Sequence, residues 1–477
     1  MTSDEFRRCG HQMIDWIADY RAGLAQRPVL APTAPGEVRR RLPAAPPQQK
    51  EDWAALQGDL DAVILPALTH WQHPRFFAYF PGNAALASVL GDLAAAGLGT
   101  LGLAWQSCPA LTELEEVVVD WLRQMVGLGA GWSGVLADTA STSTLVALLC
   151  ARERATAFGL DHGGLRDAPR PLTVYTSVQS HSSVEKAALL AGFGREHLRL
   201  VACGPDFGMD PAALADALAE DAAGGRQPCA IVATAGTTGV TAFDPIAAAA
   251  DLARPYGCWL HVDAAMAGAA MILPECRPLW EGVEAADSMV LNPHKWLGAV
   301  FDCSAYFVRD PQHLIRVMST HPSYLQSAVD SQVKNYRDWG LPLGRRFRAL
   351  KLWFLIREQG VEGLQTRLRR DLANAQWLAE QVRAAPAWRV VAPVPLQTVC
   401  VRHHPPALAG PDLDRHTRAW CDRINRSGRA FLTPALLDGS WMVRVSIGAE
   451  TTERDDVAAV WQAMREAAEA EARSCGA

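Results

Sequence analysis

The chain has 477 residues, enough for a large core and one or two further folding units, with 49% apolar and 20% charged residues as in ordinary globular proteins. A net charge of −6 and a pI near 6.1 exclude a general polyanion binder, since nucleic-acid affinity needs clustered cations. Eleven cysteines lie scattered without a CxxC pair, which argues against a secreted disulfide framework and a structural zinc site. The basic runs "EVRRRLP" and "TRLRRD" are surrounded by acids and read as solvated helix faces. "MTSDEFRRCGHQMIDWIADY" carries acids where a signal peptide needs an apolar core, and no uncharged apolar run reaches membrane-spanning length. The expectation is a reducing, cytoplasmic protein.

In chain order, "DEFRRCGHQMIDWIADYRAGL" has helical spacing with Asp4 as its cap. The proline-rich "RPVLAPTAPGEVRRRLPAAPPQQ" is a surface connector, and a second helix, "DWAALQGDLDAVILPALTHW", leads into "HPRFFAYFPG". Residues 1–85 therefore form a helical and proline-rich arm with little core of its own, suited to packing on a partner subunit. Over 86–362, apolar runs alternate with alanine-rich helical stretches. The strands are "LTVYTSV", "LRLVACG", "CAIVATAG", "CWLHVDAAM", "SMVLNP" and "CSAYFVRD", which predict an α/β domain with a mostly parallel sheet covered on both faces. Ligands bind such sheets beyond the strands' carboxyl ends. Residues 363–477 predict a small α+β domain, with an antiparallel strand pair turning at "LLDGSW".

A GxGxxG string at Gly97, Gly99 and Gly102 follows a helical stretch rather than a strand, so close packing explains it better than dinucleotide binding. No GxxxxGK[ST] exists. His70, His73, His403 and His404 lack converging acid or cysteine ligands and read as ordinary hydrogen-bonded or surface histidines; no metal is expected. In "LADTASTSTLVALLCARER", Thr139, Ala140 and Ser141 precede a helix, whose first turn binds phosphate well or is simply capped. Asp263 in "HVDAAMAG" ends a strand, where a carboxylate needs a cationic partner or strong hydrogen bonds. His181 in "SVQSHSSVEK" stands between a strand and a helix, either capping the helix or plating a ligand. Lys295 in "NPHKWL" also follows a strand. A lysine amine desolvated beside cations becomes a nucleophile toward carbonyls. Together these residues meet the needs of pyridoxal 5′-phosphate: a lysine for its aldehyde, an acid for its ring nitrogen and a phosphate cradle.

With "HPRFFAYFPG", "SCPALTELE", "HSSVEKA", "HVDAAMAG", "NPHKWL", "FDCSA" and "PLGRRFRALKLW", nearly the whole chain resembles the pyridoxal-phosphate-dependent group II decarboxylases, in the aromatic-L-amino-acid decarboxylase branch. The resemblance implies a type I, aspartate aminotransferase-like fold and a homodimer. It makes Lys295 the cofactor-carrying lysine, Asp263 the partner of the ring nitrogen, His181 the imidazole stacked on the ring and Ala265 the packing on its other face. Thr139, Ala140, Ser141, Asn292 and His294 match phosphate contacts, while Thr238 and Asp244 match supporting polar residues. Tyr324, in "HPSYLQ", falls on the family's catalytic loop, where a tyrosine helps protonate the substrate carbon. Trp71, Tyr79, Phe80, Pro81, Gly82, Leu103, His181 and Gly344 form the implied substrate pocket.

The expected activity is decarboxylation of an aromatic L-amino acid to its arylalkylamine. Gly82 replaces the threonine and Leu103 the phenylalanine of the animal enzymes, and "ADTASTST" departs from the usual phosphate loop. Gly344 resembles the residue of indole-accepting plant relatives and leans the expectation toward tryptophan-type substrates. Aldehyde-forming relatives replace the loop tyrosine or the stacked histidine; both stand here. Glutamate decarboxylation fits the aromatic "WQHPRFFAYFP" poorly, and a non-catalytic binding protein would be expected to lose Lys295 or Asp263.

Overall fold

The computed structural model describes residues 1–320 and 329–474. The chain divides into two compact units, one of residues 82–370 and 392–396, the other of 1–81, 371–391 and 397–477.

The larger unit is built on a seven-stranded sheet. Its strands are β1 (Ser133–Ala137), β2 (Leu172–Ser177), β3 (Leu198–Val201), β4 (Gln227–Thr234), β5 (Trp259–Asp263), β6 (Ser288–Leu291) and β7 (Ser304–Val308). They are ordered β1-β7-β6-β5-β4-β2-β3. Only β7 runs against its neighbours; β3, β2, β4, β5 and β6 pair in parallel. The six apolar runs expected as strands all form strands. β1 is the addition: "SGVLA" is short and glycine-bearing, and so carries little strand signal. β2 and β5 are buried at every position, as strands covered on both faces must be. On one face, Val174, Ala230 and Val232 pack with Val146 and Cys150 of the helix Ala140–Ala155 and Val184 of the helix Ser182–Leu190.

The smaller unit has an antiparallel sheet of β8 (Trp388–Val390), β9 (Thr398–His403), β10 (Thr433–Leu437) and β11 (Ser440–Ser446), ordered β10-β11-β9-β8. The turn expected at "LLDGSW" forms at Asp438 and Gly439, both with positive φ (48° and 76°), as a two-residue hairpin requires. Trp388 packs edge-on against Trp420 and Trp461. The first helix, Ser3–Ala22, is capped by Thr2 rather than Asp4. Thr2 Oγ1 accepts from Glu5 N–H while the Glu5 carboxylate accepts from Thr2 N–H, so Asp4 lies inside the first turn. The second expected helix is regular only over Trp53–Asp59 and then changes pitch ahead of Pro66.

Of the GxGxxG glycines, only Gly102 is closely packed: a Cβ there would meet Leu111 Cδ2 at 2.7 Å. Gly99 ends the helix Leu86–Leu98 in the left-handed conformation, and nothing lies within 4 Å of a Cβ on Gly97. His70 bonds to Tyr20 Oη at 2.9 Å, His73 Nδ1 accepts from Arg75 N–H, His403 pairs with His416 at 2.8 Å, and His404 is exposed. The described residues contain no group of three or more side chains fit to hold a metal ion, and no helix long and apolar enough to cross a membrane.

Candidate active site

Five strands of the larger unit deliver side chains to one cavity of about 270 Å³ at their carboxyl ends. β1 leads to Thr139, Ala140 and Ser141; β2 to His181; β4 to Thr238; β5 to Asp263 and Ala265; β6 to Asn292, His294 and Lys295. All ten line it.

Lys295 occupies a turn after β6 that is held from several sides. Asn83 Nδ2 donates to Lys295 O at 3.0 Å. Arg367 donates to Trp296 O and Leu297 O at 2.9 and 2.6 Å. His294 Nδ1 accepts from Cys303 N–H at 2.9 Å, and Gly298 N–H closes onto Pro293 O. Burial, with the charge of Lys295 adding to it, pushes the His294 imidazole down to about 4, so the ring is neutral.

Asp263 is 4% exposed, and its Oδ1 accepts from Ala265 N–H at 3.0 Å. His181 caps a helix, the first of the two roles left open by the sequence, and also lines the cavity. Its Nδ1 accepts from Ser183 N–H at 3.2 Å and meets Ser183 Oγ at 2.8 Å. An N–H donor at Nδ1 places the proton of the neutral ring on Nε2. Burial lowers the His181 pKa; Asp263 raises it and Lys295 lowers it, so both charges reach this ring.

The cradle is more than a capped helix. Thr139 stands at the N-cap of Ala140–Ala155 without a side-chain capping bond, so the first-turn N–H groups keep their capacity for an anion. Asn292, 4% exposed, has an amide oxygen with no hydrogen-bond partner among the described residues. Turning that amide by half a rotation presents a donor to the same space. These features fit a phosphate-bearing aldehyde.

Asp244 is the exception among the expected cofactor contacts, because it does not line the cavity. Its carboxylate accepts from Thr234 N–H and Met209 N–H, each at 2.7 Å, and fixes the end of β4 from behind. Burial raises it to about 6 against the pull of those donors. Thr234, Gly236, Ser183 and Met266 line the cavity without having been singled out. Thr234 was findable as the last residue of a buried strand. Gly236, at φ +82°, runs so close to Ala267 that a Cβ would sit 2.4 Å from that methyl group.

The expected substrate residues divide. Trp71, Tyr79, Phe80 and Pro81 belong to the smaller unit, where Trp71 and Tyr79 stack at 5.7 Å with about half of each side chain exposed and Phe80 is buried. Gly82, Leu103 and Gly344 lie in the larger unit but do not line the lysine cavity. A Cβ on Gly344 would stand 3.9 Å from Leu103 Cδ2, so those two form one wall. Tyr324 lies outside the described residues.

A mostly parallel sheet with a lysine, a buried carboxylate, an imidazole and a phosphate cradle at its strand ends defines a type I pyridoxal-phosphate enzyme. Residues 35–404 match the pyridoxal-dependent decarboxylase conserved domain. The chain belongs to the pyridoxal-dependent decarboxylase family, and pyridoxal 5′-phosphate is its cofactor. It is 37% identical to tryptophan decarboxylase 2 of Oryza sativa subsp. japonica, over 98% of this chain and 95% of that one. Phenylacetaldehyde synthase of Arabidopsis thaliana is 38% identical, over 98% and 96%. The solved structure of Oryza sativa TDC with PLP and tryptamine superposes with a TM-score of 0.95 at 36% identity, covering 98% of both chains.

Proposed function

We propose that the protein decarboxylates aromatic L-amino acids, tryptophan-type substrates foremost, to arylalkylamines and CO₂. The observation that carries this reading is the convergence of Lys295, Asp263, His181 and the Thr139–Ser141 cradle on one cavity. The likeness to tryptophan decarboxylase 2 supports the indolic preference.

When bound, pyridoxal 5′-phosphate supplies an aldehyde for an amine and an electron-withdrawing ring that takes up the electrons released as CO₂ departs. Lys295 holds the nucleophilic amine. Asp263, buried at the end of β5, would hold a proton on a ring nitrogen. The helix N-terminus at Ala140 and Ser141, with Asn292, would anchor the cofactor's phosphate, and His181 and Ala265 would line its ring. The Leu103–Gly344 wall of the larger unit acts as an apolar surface for the aromatic side chain. Tyr324 hands its phenolic proton to the substrate's α-carbon, a step of a kind worth roughly 10²–10⁴-fold.

The working form is a homodimer. Leu86, Leu90 and Leu93 stand at helical spacing on one face of Leu86–Leu98 and are about half exposed, as are Leu98 and Leu101. A stripe of this kind calls for a partner surface, and a second copy supplies one. A cytoplasmic location is part of the same proposal and rests on the scattered cysteines.

A second reading, oxidative conversion to an aldehyde, is favoured by the likeness to phenylacetaldehyde synthase. Amine and aldehyde release measured on tryptophan, 5-hydroxytryptophan, DOPA, tyrosine and phenylalanine, with glutamate as control, separates the readings. The expected result is amine from indolic substrates first and none from glutamate. Aldehyde as the main product would replace decarboxylation alone.

A further inference from the structure

Two sequence motifs that the cofactor leaves unused, "SCPALTELE" and "PLGRRFRALKLW", meet in the folded chain. Glu115 closes the first and Arg345 lies in the second. Arg345 Nη1 donates to Glu115 Oε2 at 3.0 Å and Nη2 to Oε1 at 2.6 Å, with the two side chains 4% and 0% exposed. The same pair takes both backbone groups of Leu136. Leu136 N–H donates to Glu115 Oε1 at 2.9 Å, and Arg345 Nη2 donates to Leu136 O at 2.6 Å.

Leu136 is the penultimate residue of β1, three positions before Thr139 of the cradle. At the other end, Arg345 O accepts from Gly102 N–H at 3.0 Å, which fixes the residue beside Leu103. Gly344 directly precedes Arg345 and faces Leu103. Gly102 is also packed on Leu111, in the helix Pro109–Val126 that carries Glu115. Tyr336 shields the guanidinium, its ring centroid 4.9 Å away. Five separate stretches of chain thus meet on one ion pair.

Removing two charges from water makes such a pair a poor source of stability, since apolar residues of similar volume often do as well or better. What it supplies is geometry: a planar fork accepts only one arrangement of its partners. We propose that Glu115 and Arg345 are a positioning pair that holds the Leu103–Gly344 wall in register with the cofactor cradle. Cofactor affinity and side-chain selectivity are therefore set together by residues that touch neither ligand. The selectivity half rests on the substrate reading above; the cofactor half rests on the family alone.

The test uses the full-length protein, stripped of cofactor and titrated with pyridoxal 5′-phosphate by absorbance, together with the ratio of KM for L-tryptophan to that for L-tyrosine. Glu115→Gln turns one acceptor into a donor facing another donor. It is expected to raise the cofactor Kd roughly tenfold, in the manner of other supporting-residue changes, and to shift the KM ratio. Glu115→Leu/Arg345→Met removes both charges and is expected to recover the thermal midpoint while both readouts stay shifted. Recovery of Kd and KM ratio along with the midpoint would reduce the pair to scaffolding and overturn the proposal. Should the double variant not fold, Glu115→Asp keeps the charge and shortens its reach by one methylene; wild-type values of both readouts there would overturn it equally. A wild-type chain that binds cofactor but decarboxylates neither amino acid would sink the substrate reading alone, leaving the titration as the test.

Discussion

Asp263 and Asp244 show how differently two buried carboxylates serve one cavity. Asp263 lines it, and in the proposed role its carboxylate would face the ring of a bound cofactor. Asp263→Asn leaves the shape and removes the charge, so kcat should fall at least about 10²-fold, as for other preorganised electrostatic groups. Steady-state kinetics at saturating cofactor check this. Asp244 works from behind, and its pKa of about 6 stands above the ordinary 3.8. The folded state therefore favours the protonated carboxyl, and the stability this gives is lost as pH rises from about 4 through 6, by about 3 kcal/mol in full. Urea midpoints of wild type and Asp244→Asn compared from pH 4 to 7 should diverge in that window, with the variant lacking this loss. Asp263 was legible from its place at a strand end, Asp244 only from the resemblance, and the fold separates the one that lines the cavity from the one that braces β4 behind it.

At the scale of elements, the strand ends were the legible part. Each expected apolar run became a strand of the main sheet, and β2, β4, β5 and β6 lead to polar residues of the cavity, whereas β3 and the antiparallel β7 do not. The helix Ala140–Ala155 was legible in place but not in role, since hydroxyl residues before a helix cap it or leave it open for an anion. Thr139 makes no side-chain capping bond, which leaves the first-turn N–H groups able to take the proposed anion. Ser141→Asp, which puts a negative charge at that N-terminus, should weaken cofactor binding by tenfold or more, read by absorbance titration against free phosphate as competitor. The Asp438–Gly439 hairpin was legible from its dipeptide alone. Gly439→Ala, at φ +76°, should cost about 1 kcal/mol in urea unfolding and leave cofactor affinity unchanged.

Across the molecule, burial holds His73, His261, His294 and His403 at about 4. Their folded values lie below the ordinary 6.5, so the stability they give is full above pH 6.5 and falls as pH drops toward 4. Unfolding midpoints should decline on this acid side even where carboxylates remain ionised. The proposed subunit pairing makes its own demand: Leu90→Asp/Leu93→Asp should shift sedimentation toward a single chain, and an unchanged profile would count against pairing through this face. The sequence implied pairing through the core-poor arm of residues 1–85 and through resemblance but did not locate this leucine face, because an exposed leucine is recognised as such only after the helix has chosen its face.

The corner bearing Lys295 is clamped by Asn83, Arg367 and the backbone of Cys303, groups outside the corner itself. A Lys295→Ala chain would thus keep its mould and lose only its reagent. Small primary amines added from solution should then revive part of the turnover, their potency following basicity and slenderness, which would turn a dead variant into a gauge of how much room that corner holds.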